Sequence, residues 1–119
     1  MNNEQLGYAD IVEMIKDDIM GNNNITDGKI RSTTVLSRVY EVNPTTAVKA
    51  VSKLQAEGYL RKEPGIGMYV VSDAKERIME DRKKKFEEVE ISKFLENAKK
   101  LGFSLDNIKT KIEERYPNI

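Results

Sequence analysis

The apolar residues near the start of the chain repeat every three or four positions, which is the spacing of one face of an α-helix. This pattern predicts a first helix over residues 8–20, ended by Gly21 and the asparagines that follow it. Its apolar members are Tyr8, Ile11, Val12, Ile15 and Ile19. Asp27-Gly28 indicates a turn, and residues 29–31 are predicted to form one short strand.

Two further helices are predicted with only a short turn between them. Ser32 is a preferred N-cap for a helix over 32–40. Its apolar face is predicted to comprise Val35, Leu36 and Val39. Asn43 is also a preferred cap, and Pro44 suits a first helical position, so a third helix is predicted over 44–57. Its inward residues are predicted to be Ala47, Val48, Val51 and Leu54. Two helices joined in this way are typical of a helix-turn-helix.

A small hairpin is predicted directly after the third helix. Residues 59–62 and 68–71 can pair as strands, and the turn-forming sequence Pro64-Gly65-Ile66-Gly67 lies between them. A hairpin in this position is called a wing. We therefore predict a winged helix-turn-helix over residues 8–71, a mainly α fold with a small β wing.

The composition changes after Ser72 to long, charged helix-forming residues. A long helix is predicted to reach about residue 101, and a short one to follow between Ser104 and Pro117, as an αα-hairpin. One apolar stripe runs along this hairpin and comprises Phe86, Val89, Phe94, Leu95, Ala98, Leu101, Leu105, Ile108 and Ile112. A second copy of the chain would cover the stripe. We expect residues 1–72 to form the winged domain and 73–119 to form a helical element that makes a homodimer.

The composition of the 119-residue chain excludes several kinds of chemistry. It contains no histidine and no cysteine, which excludes disulfides, Ser-His-Asp catalysis and thiolate chemistry. We therefore expect no enzyme, no cofactor and no metal site. The apolar runs are far shorter than the ~20 residues that span a bilayer, and the first residues do not resemble a signal peptide. These features predict a cytoplasmic protein with no membrane partner.

Charge is unevenly distributed along the chain, although 20 basic and 20 acidic residues give a formal net charge of zero. Residues 1–28 contain a single basic side chain among six acidic ones. Residues 29–62, in contrast, contain seven basic side chains and two acidic ones, a basic island. Attraction to phosphate depends on charge within about 8–10 Å rather than on the total. The basic island therefore favours double-stranded DNA as a partner.

The candidate DNA-binding residues lie in the basic island and in the wing. In a helix-turn-helix, the second helix of the motif enters the major groove and the first spans the backbone. Hydroxyl groups, cations and backbone N–H groups at helix starts bind phosphates or base edges. The candidates are Arg31, Ser32, Thr33, Thr34, Asn43, Thr45, Thr46, Lys49, Lys53, Arg61, Lys62, Gly65 and Gly67.

Each candidate also has an ordinary structural interpretation. Ser32 suits a helix cap, while Lys49 and Lys53 resemble any solvated helix face. The basic run 82–85 has acidic neighbours on both sides and is interpreted as a solvated face with ion pairs. Only the coincidence of helix-turn-helix, wing and positive charge in one stretch favours DNA binding.

A set of ordered motifs over residues 8–71 resembles the N-terminal DNA-binding domain of the GntR superfamily of bacterial transcription regulators. The motifs are Tyr8 with Ile11 and Ile15, Gly28-Lys29-Ile30-x-Ser32, Leu36, Val42-Asn43-Pro44-x-Thr46, Lys49-Ala50, Leu54-x-x-Glu57-Gly58-Tyr59-Leu60 and Gly65-x-Gly67-x-Tyr69-Val70. With its short tail ending in Leu-Gly-Phe-Ser-Leu and a last helix, the chain is similar to the YtrA-like branch. The resemblance implies a homodimer held by the C-terminal helices, with no separate effector domain, on a pseudo-palindromic operator.

Several positions depart from the family pattern. Arginines common in the family are replaced by Thr34, Pro44 and Val48, and Glu63 lies in a wing that is usually more basic. We therefore expect base recognition to depend on fewer arginines. The leading hypothesis is a sequence-specific transcriptional regulator, a repressor by resemblance, whose effector the sequence does not identify. The alternative is a winged-helix module that binds proteins without sequence-specific DNA binding.

Overall fold

The computed structural model describes residues 6–119 of the chain. By internal contacts the chain divides into two units, one running to Met79 and the other spanning Glu80–Ile119. The first unit contains, in chain order, α1 Tyr8–Gly21, β1 Ile25–Thr26, β2 Lys29–Ile30, α2 Thr33–Val39, α3 Pro44–Ala56, β3 Leu60–Glu63, β4 Gly67–Val70 and the start of α4 Ala74–Lys85. The second unit contains the rest of α4, a π-helical segment Phe86–Ile91, α5 Ser92–Lys100, α6 Leu105–Arg115 and a 3₁₀ turn Tyr116–Asn118.

The predicted winged helix-turn-helix is confirmed, and its helices begin where the caps indicate. The Oγ of Ser32 accepts a hydrogen bond from the Val35 N–H at 3.2 Å, at the start of α2. The Oδ1 of Asn43 accepts one from the Thr45 N–H at 2.9 Å, at the start of α3. Pro44 is the first residue of α3, where its missing N–H leaves no partner unsatisfied.

The buried face of α3 differs from the prediction at one position. Ala47, Val51 and Leu54 are buried as predicted, but Val48 is 48% exposed and Ala50 is fully buried instead. Residues of a helix are separated by about 100° around its axis. Ala50 therefore lies closer than Val48 to the middle of the face that the three buried residues define, and Val48 faces solvent.

A similar correction applies to α2. Val39 was predicted on its apolar face but is 48% exposed, while Tyr40 directly after it is buried. The hydroxyl of Tyr40 donates a hydrogen bond to the Asp18 carboxylate on α1, and Asn24 Nδ2 donates to the same Asp18 oxygen at 3.0 Å. Burial and the neighbouring carboxylate raise the pKa of Tyr40 above its ordinary value. The aromatic ring thus closes the core while its hydroxyl remains paired.

The sheet is antiparallel throughout, with strand order β1-β2-β4-β3. The wing hairpin pairs Leu60 with Val70 and Glu63 with Gly67. The two-residue strand β1 was not predicted, although its turn was. Asp27 and Gly28 both have positive φ, 52° and 80°, which is the conformation of the tight hairpin turn that Asp-Gly favours.

The core of the first unit gathers side chains from all its helices and from the sheet. Its most completely buried large residues are Ile11, Ile15, Ile19, Leu36, Leu54, Leu60 and Ile78. Ala74 and Ile78, on the first turns of α4, are buried in this core. The first turns of α4 thus pack with the winged domain. The predicted boundary between two domains after residue 72 stays a prediction.

The second unit is a helical hairpin. Gly102, at φ +83°, ends α5, and the Phe103 N–H donates to the Ala98 carbonyl at 3.0 Å, the bonding of a left-handed helix cap. Ser104 caps α6, its Oγ accepting from the Asn107 N–H at 3.1 Å. The π-helical segment interrupts the long helix predicted up to residue 101. The sequence did not predict this interruption, because hydrophobic spacing does not reveal a wider helical turn.

Candidate nucleic-acid interface

The outward side of α3 is the centre of the candidate interface. Thr45, Lys49 and Lys53 are exposed there, as the sequence predicts, while Thr46 is half-buried. Val48 and Ser52 are exposed as well. Residues spaced by three and four positions share one face of a helix, so Thr45, Val48, Lys49 and Ser52 form a continuous outward face.

Lys49 is held beside α1 by an aromatic ring. Its Nζ lies 4.3 Å from the centroid of the Tyr8 ring, a cation–π contact worth about 0.5–1 kcal/mol at an exposed site. The contact joins the first helix to the outward face of α3 and fixes where the ammonium lies. In the sequence, Lys49 and Tyr8 belong to separate motifs, and no pattern indicates that they are in contact.

The other α3 cation has an acidic partner. Lys53 Nζ lies 3.5 Å from a Glu57 carboxylate oxygen, four residues further along the chain. Both side chains are about half exposed, and such pairs contribute only about 0.3–0.5 kcal/mol. A phosphate could displace Glu57 at small cost, so the pair is compatible with a role for Lys53 in binding DNA.

The start of α2 and the tip of the wing lie together around a cleft of about 210 Å³. Lys29, Arg31, Ser32, Thr33, Ile66 and Gly67 are among the residues that line it. Thr34 is exposed just beyond them, and its carbonyl accepts a hydrogen bond from the buried Ser37 hydroxyl at 2.7 Å. The structure thus brings together candidate residues that are more than thirty positions apart in the chain.

The wing carries two candidate cations of different character. Arg61 forms an ion pair with Glu63, and its guanidinium lies 5.0 Å from the centroid of the Tyr69 ring. Lys62 is exposed, as Arg61 is. Because Glu63 lies beside Arg61, the positive potential of the wing is weaker than its two cations alone would give.

The wing glycines are required by backbone conformation. Gly65 has φ +77° at the tip and Gly67 has φ +143° at the start of β4, conformations that residues with a side chain rarely adopt. A Cβ on Gly67 would lie 2.7 Å from Cε of Lys29, whereas one on Gly65 would meet no atom within 4 Å. Both glycines therefore have a structural explanation that does not depend on a ligand.

Arg77 is a positioning residue that the sequence did not indicate. Its Nη1 donates to the Gly58 carbonyl at 2.9 Å and its Nη2 to the Glu57 carbonyl at 2.8 Å. Its guanidinium also lies 4.4 Å from the centroid of the Tyr59 ring. A cation at the carboxyl end of a helix pairs with the carbonyls that have no helical partner. Arg77 thus caps α3 from the first turns of α4.

The second unit exposes a broad apolar surface. Seven of the nine residues predicted for dimerisation are exposed, namely Phe86, Val89, Phe94, Leu95, Leu101, Leu105 and Ile112. The other two, Ala98 and Ile108, are buried within the hairpin. A groove of about 500 Å³ runs along α5 and α6, and Phe103, Tyr116 and Ile119 also line it. Exposed apolar patches of this kind mark interaction sites in soluble proteins.

Two absences concern only the part of the chain that the structure describes. Within residues 6–119, no helix combines the length and the apolar character needed to cross a bilayer. Over the same range, acidic side chains are nowhere grouped in threes as a metal site would require.

Comparison with solved structures gives strong similarities. A protein described as a transcriptional regulator of the GntR family from Bacteroides thetaiotaomicron matches with a TM-score of 0.77 and 29% identity, over 93% of this chain and 97% of that one. A GntR family transcriptional regulator from Listeria monocytogenes matches with a TM-score of 0.71 and 26% identity, over 90% and 92% of the two chains. These neighbours support the GntR superfamily for this chain.

A transcriptional regulator from Oenococcus oeni, at 20% identity, has a TM-score of 0.72 over 90% of this chain and 88% of its own, a likeness of fold. No protein-family profile matches the sequence, and no curated protein matches it. The GntR neighbours are similar over both units, and they support a DNA-binding regulator. The YtrA-like branch stays a prediction.

Proposed function

We propose that this protein is a sequence-specific transcriptional regulator that binds a pseudo-palindromic operator as a homodimer and acts as a repressor. The observation that carries the proposal is the outward face of α3. Asn43 and Pro44 fix the first turn of α3, and Thr45 and Lys49 are exposed on the outward face of the helix. In a helix-turn-helix this is the part of the second helix that reads base edges in the major groove.

The surrounding residues supply the contacts that position such a helix. The cleft between the start of α2 and the wing tip is lined by Lys29, Arg31 and Ser32, and cations with hydroxyls are the usual ligands of DNA phosphates. Lys62 on the wing is exposed and adds a further cation. These groups all belong to the basic island, so each cation among them adds to the electrostatic attraction for DNA phosphates.

A homodimer would supply the specificity that one helix-turn-helix lacks. Two copies related by a two-fold axis place two α3 helices on half-sites about one helical turn apart. The exposed apolar residues of the second unit provide the surface for this association, and Leu101 and Leu105, at 75% and 72% exposed, are the most accessible of the predicted set. We assign this surface to a second copy of the chain.

Salt-titrated fluorescence anisotropy on duplex DNA tests the proposal. A dimer that contacts about eight phosphates should lose affinity with a slope near −7 in a plot of log affinity against log salt concentration. A site selected from randomised duplexes should bind far more tightly than its scrambled version. A flat response to salt, or equal binding to scrambled DNA, would contradict the proposal.

One observation favours the alternative of a protein-binding module. Lys53 and Arg61 lie beside the carboxylates of Glu57 and Glu63, which lowers the positive potential of the basic island. The same titration separates the two functions, because a protein-binding module has no reason to prefer one DNA sequence over another.

A further inference from the structure

Val48 is an apolar side chain on the outward face of α3, which does not pack into the core. The fold buries Ala47, Ala50, Val51 and Leu54 of α3, whereas Val48 is 48% exposed. Its methyl groups therefore face water on the outward side of the helix. An apolar group in this position gains free energy when a partner covers it.

Two of the neighbours of Val48 on this face are small and uncharged. Thr45 lies three residues before it and Ser52 four residues after it, and both are exposed. The nearest cation on the face, Lys49, has its ammonium 4.3 Å from the centroid of the Tyr8 ring on α1. Around Val48 the face therefore offers methyl groups flanked by hydroxyls, with positive charge at its side.

The edges of DNA bases offer one chemical group that matches such a surface. In the major groove only thymine presents a methyl group, while guanine, cytosine and adenine present hydrogen-bonding groups. Covering one of those groups with a valine would leave it without a partner, which carries a free-energy penalty. The occupant of this face is duplex DNA, because the face belongs to the basic island and attracts phosphate.

We infer that Val48 is a specificity-determining residue that contacts the methyl group of a thymine in each half-site. This inference rests on the proposed function and adds to it a residue and the base that the residue selects. Burial of one methyl group changes an association constant about fourfold. For a homodimer with two half-sites the combined effect is about fifteenfold.

The test replaces thymine by deoxyuridine, which removes the methyl group and leaves the hydrogen-bonding edge unchanged. A preferred site is first selected from randomised duplexes with the wild-type protein. Each thymine of the site is then replaced in turn, and binding is measured for the wild type, for Val48→Ala and for Val39→Ala. Val39 is the matched control, because it is a valine with the same 48% exposure, on α2.

We expect one thymine in each half-site whose demethylation weakens binding of the wild type and of Val39→Ala about fourfold, but leaves binding of Val48→Ala unchanged. Equal sensitivity of Val48→Ala, or sequence-specific binding in which no thymine methyl matters, would overturn the role of Val48 while leaving the proposed function intact. If the wild type shows no sequence preference, both the proposed function and this inference fail.

Discussion

Nη1 of Arg77 donates a hydrogen bond to the carbonyl oxygen of Gly58 over 2.9 Å, across nineteen positions of the chain. The same guanidinium reaches the Glu57 carbonyl and stacks on Tyr59. A planar fork with several donors suits two adjacent carbonyls better than a single ammonium does. The end of α3 is therefore held by a residue that lies outside the helix-turn-helix motif.

Replacement of Arg77 should destabilise the winged domain. We expect Arg77→Ala to lower the free energy of unfolding by about 1–2 kcal/mol, because two carbonyls lose a charged donor that is partly exposed. The free energy of unfolding of Arg77→Lys should lie between those of the wild type and Arg77→Ala, since an ammonium cannot donate to both carbonyls as a guanidinium does. Urea denaturation measures the effect. Lys75→Ala, an exposed change on the same helix, is the control, and equal losses for Lys75→Ala and Arg77→Ala would contradict the prediction.

The hydroxyl of Tyr40 should make stability depend on alkaline pH. Its pKa is raised in the folded state by burial and by Asp18, so the folded protein holds the proton more tightly than the unfolded chain does. The stabilisation is then complete below about pH 10, the ordinary tyrosine pKa, and is lost as the pH rises above it.

Urea denaturation of Tyr40→Phe at pH 8 and above pH 10 tests this dependence. We expect the variant to be less stable than the wild type by about 1–2 kcal/mol at pH 8, since the Asp18 carboxylate loses the Tyr40 donor and keeps the Asn24 donor. The difference should shrink at the higher pH. Tyr116→Phe, at an exposed tyrosine of the second unit, should show neither effect. A difference that stays constant with pH would be evidence against the raised pKa.

Substitution should destabilise the fold more at Gly67 than at Gly65, because the two wing glycines have different backbone conformations. We expect Gly67→Ala to lower the free energy of unfolding by about 1–3 kcal/mol, because its φ of +143° strains any residue that has a Cβ. Gly65→Asn should cost less than about 1 kcal/mol, since asparagine tolerates a φ near the +77° found at the tip. Thermal denaturation of the two variants provides the comparison. Equal destabilisation would show that conformation is not the cause.

Lys49 should contribute to DNA binding through the position that Tyr8 gives it. We expect Lys49→Ala to weaken binding to a selected site by about 1–3 kcal/mol if the ammonium reads a base. Tyr8→Leu keeps an apolar side chain but removes the ring, so it should weaken binding less. Anisotropy with selected and scrambled duplexes measures both. A loss that is the same for every sequence would instead identify Lys49 as a phosphate contact.

A charge on the apolar surface of the second unit should dissociate the proposed dimer. Leu101 is 75% exposed within the chain, so Leu101→Lys should leave the fold of the protomer intact while opposing association. We expect a dimer at micromolar concentration for the wild type and a monomer for this variant in sedimentation velocity. Gln55→Lys adds the same charge to exposed α3 and should remain dimeric. A monomeric wild type would contradict the proposed assembly.

The parts of the fold that depend on local chemistry could be predicted from the sequence. Asn43 and Pro44 define the start of α3 because capping involves only neighbouring residues, and the Asp27-Gly28 turn follows from the preference of that pair for positive φ. The short strand before this turn was missed, because two residues carry no alternating pattern.

Other features depend on distant partners and were not accessible from the sequence. Val48 was predicted inward as one of the apolar residues of the helix, but its exposure and the burial of Ala50 show that apolar character alone does not decide which residues are buried. Nothing in the sequence singles out Arg77, because its carbonyl partners lie nineteen and twenty positions away. The contact between Lys49 and Tyr8 joins two helices that periodicity describes separately.

The separation of buried and outward positions on α3 has an evolutionary consequence. Burial falls on Ala47, Ala50, Val51 and Leu54, so mutations at the outward positions leave the stability of the fold almost unchanged. Duplicated copies of such a gene can therefore diverge at Val48 or Ser52 one substitution at a time, without first acquiring stabilising changes elsewhere. Substitutions can therefore accumulate on this face while the scaffold stays the same.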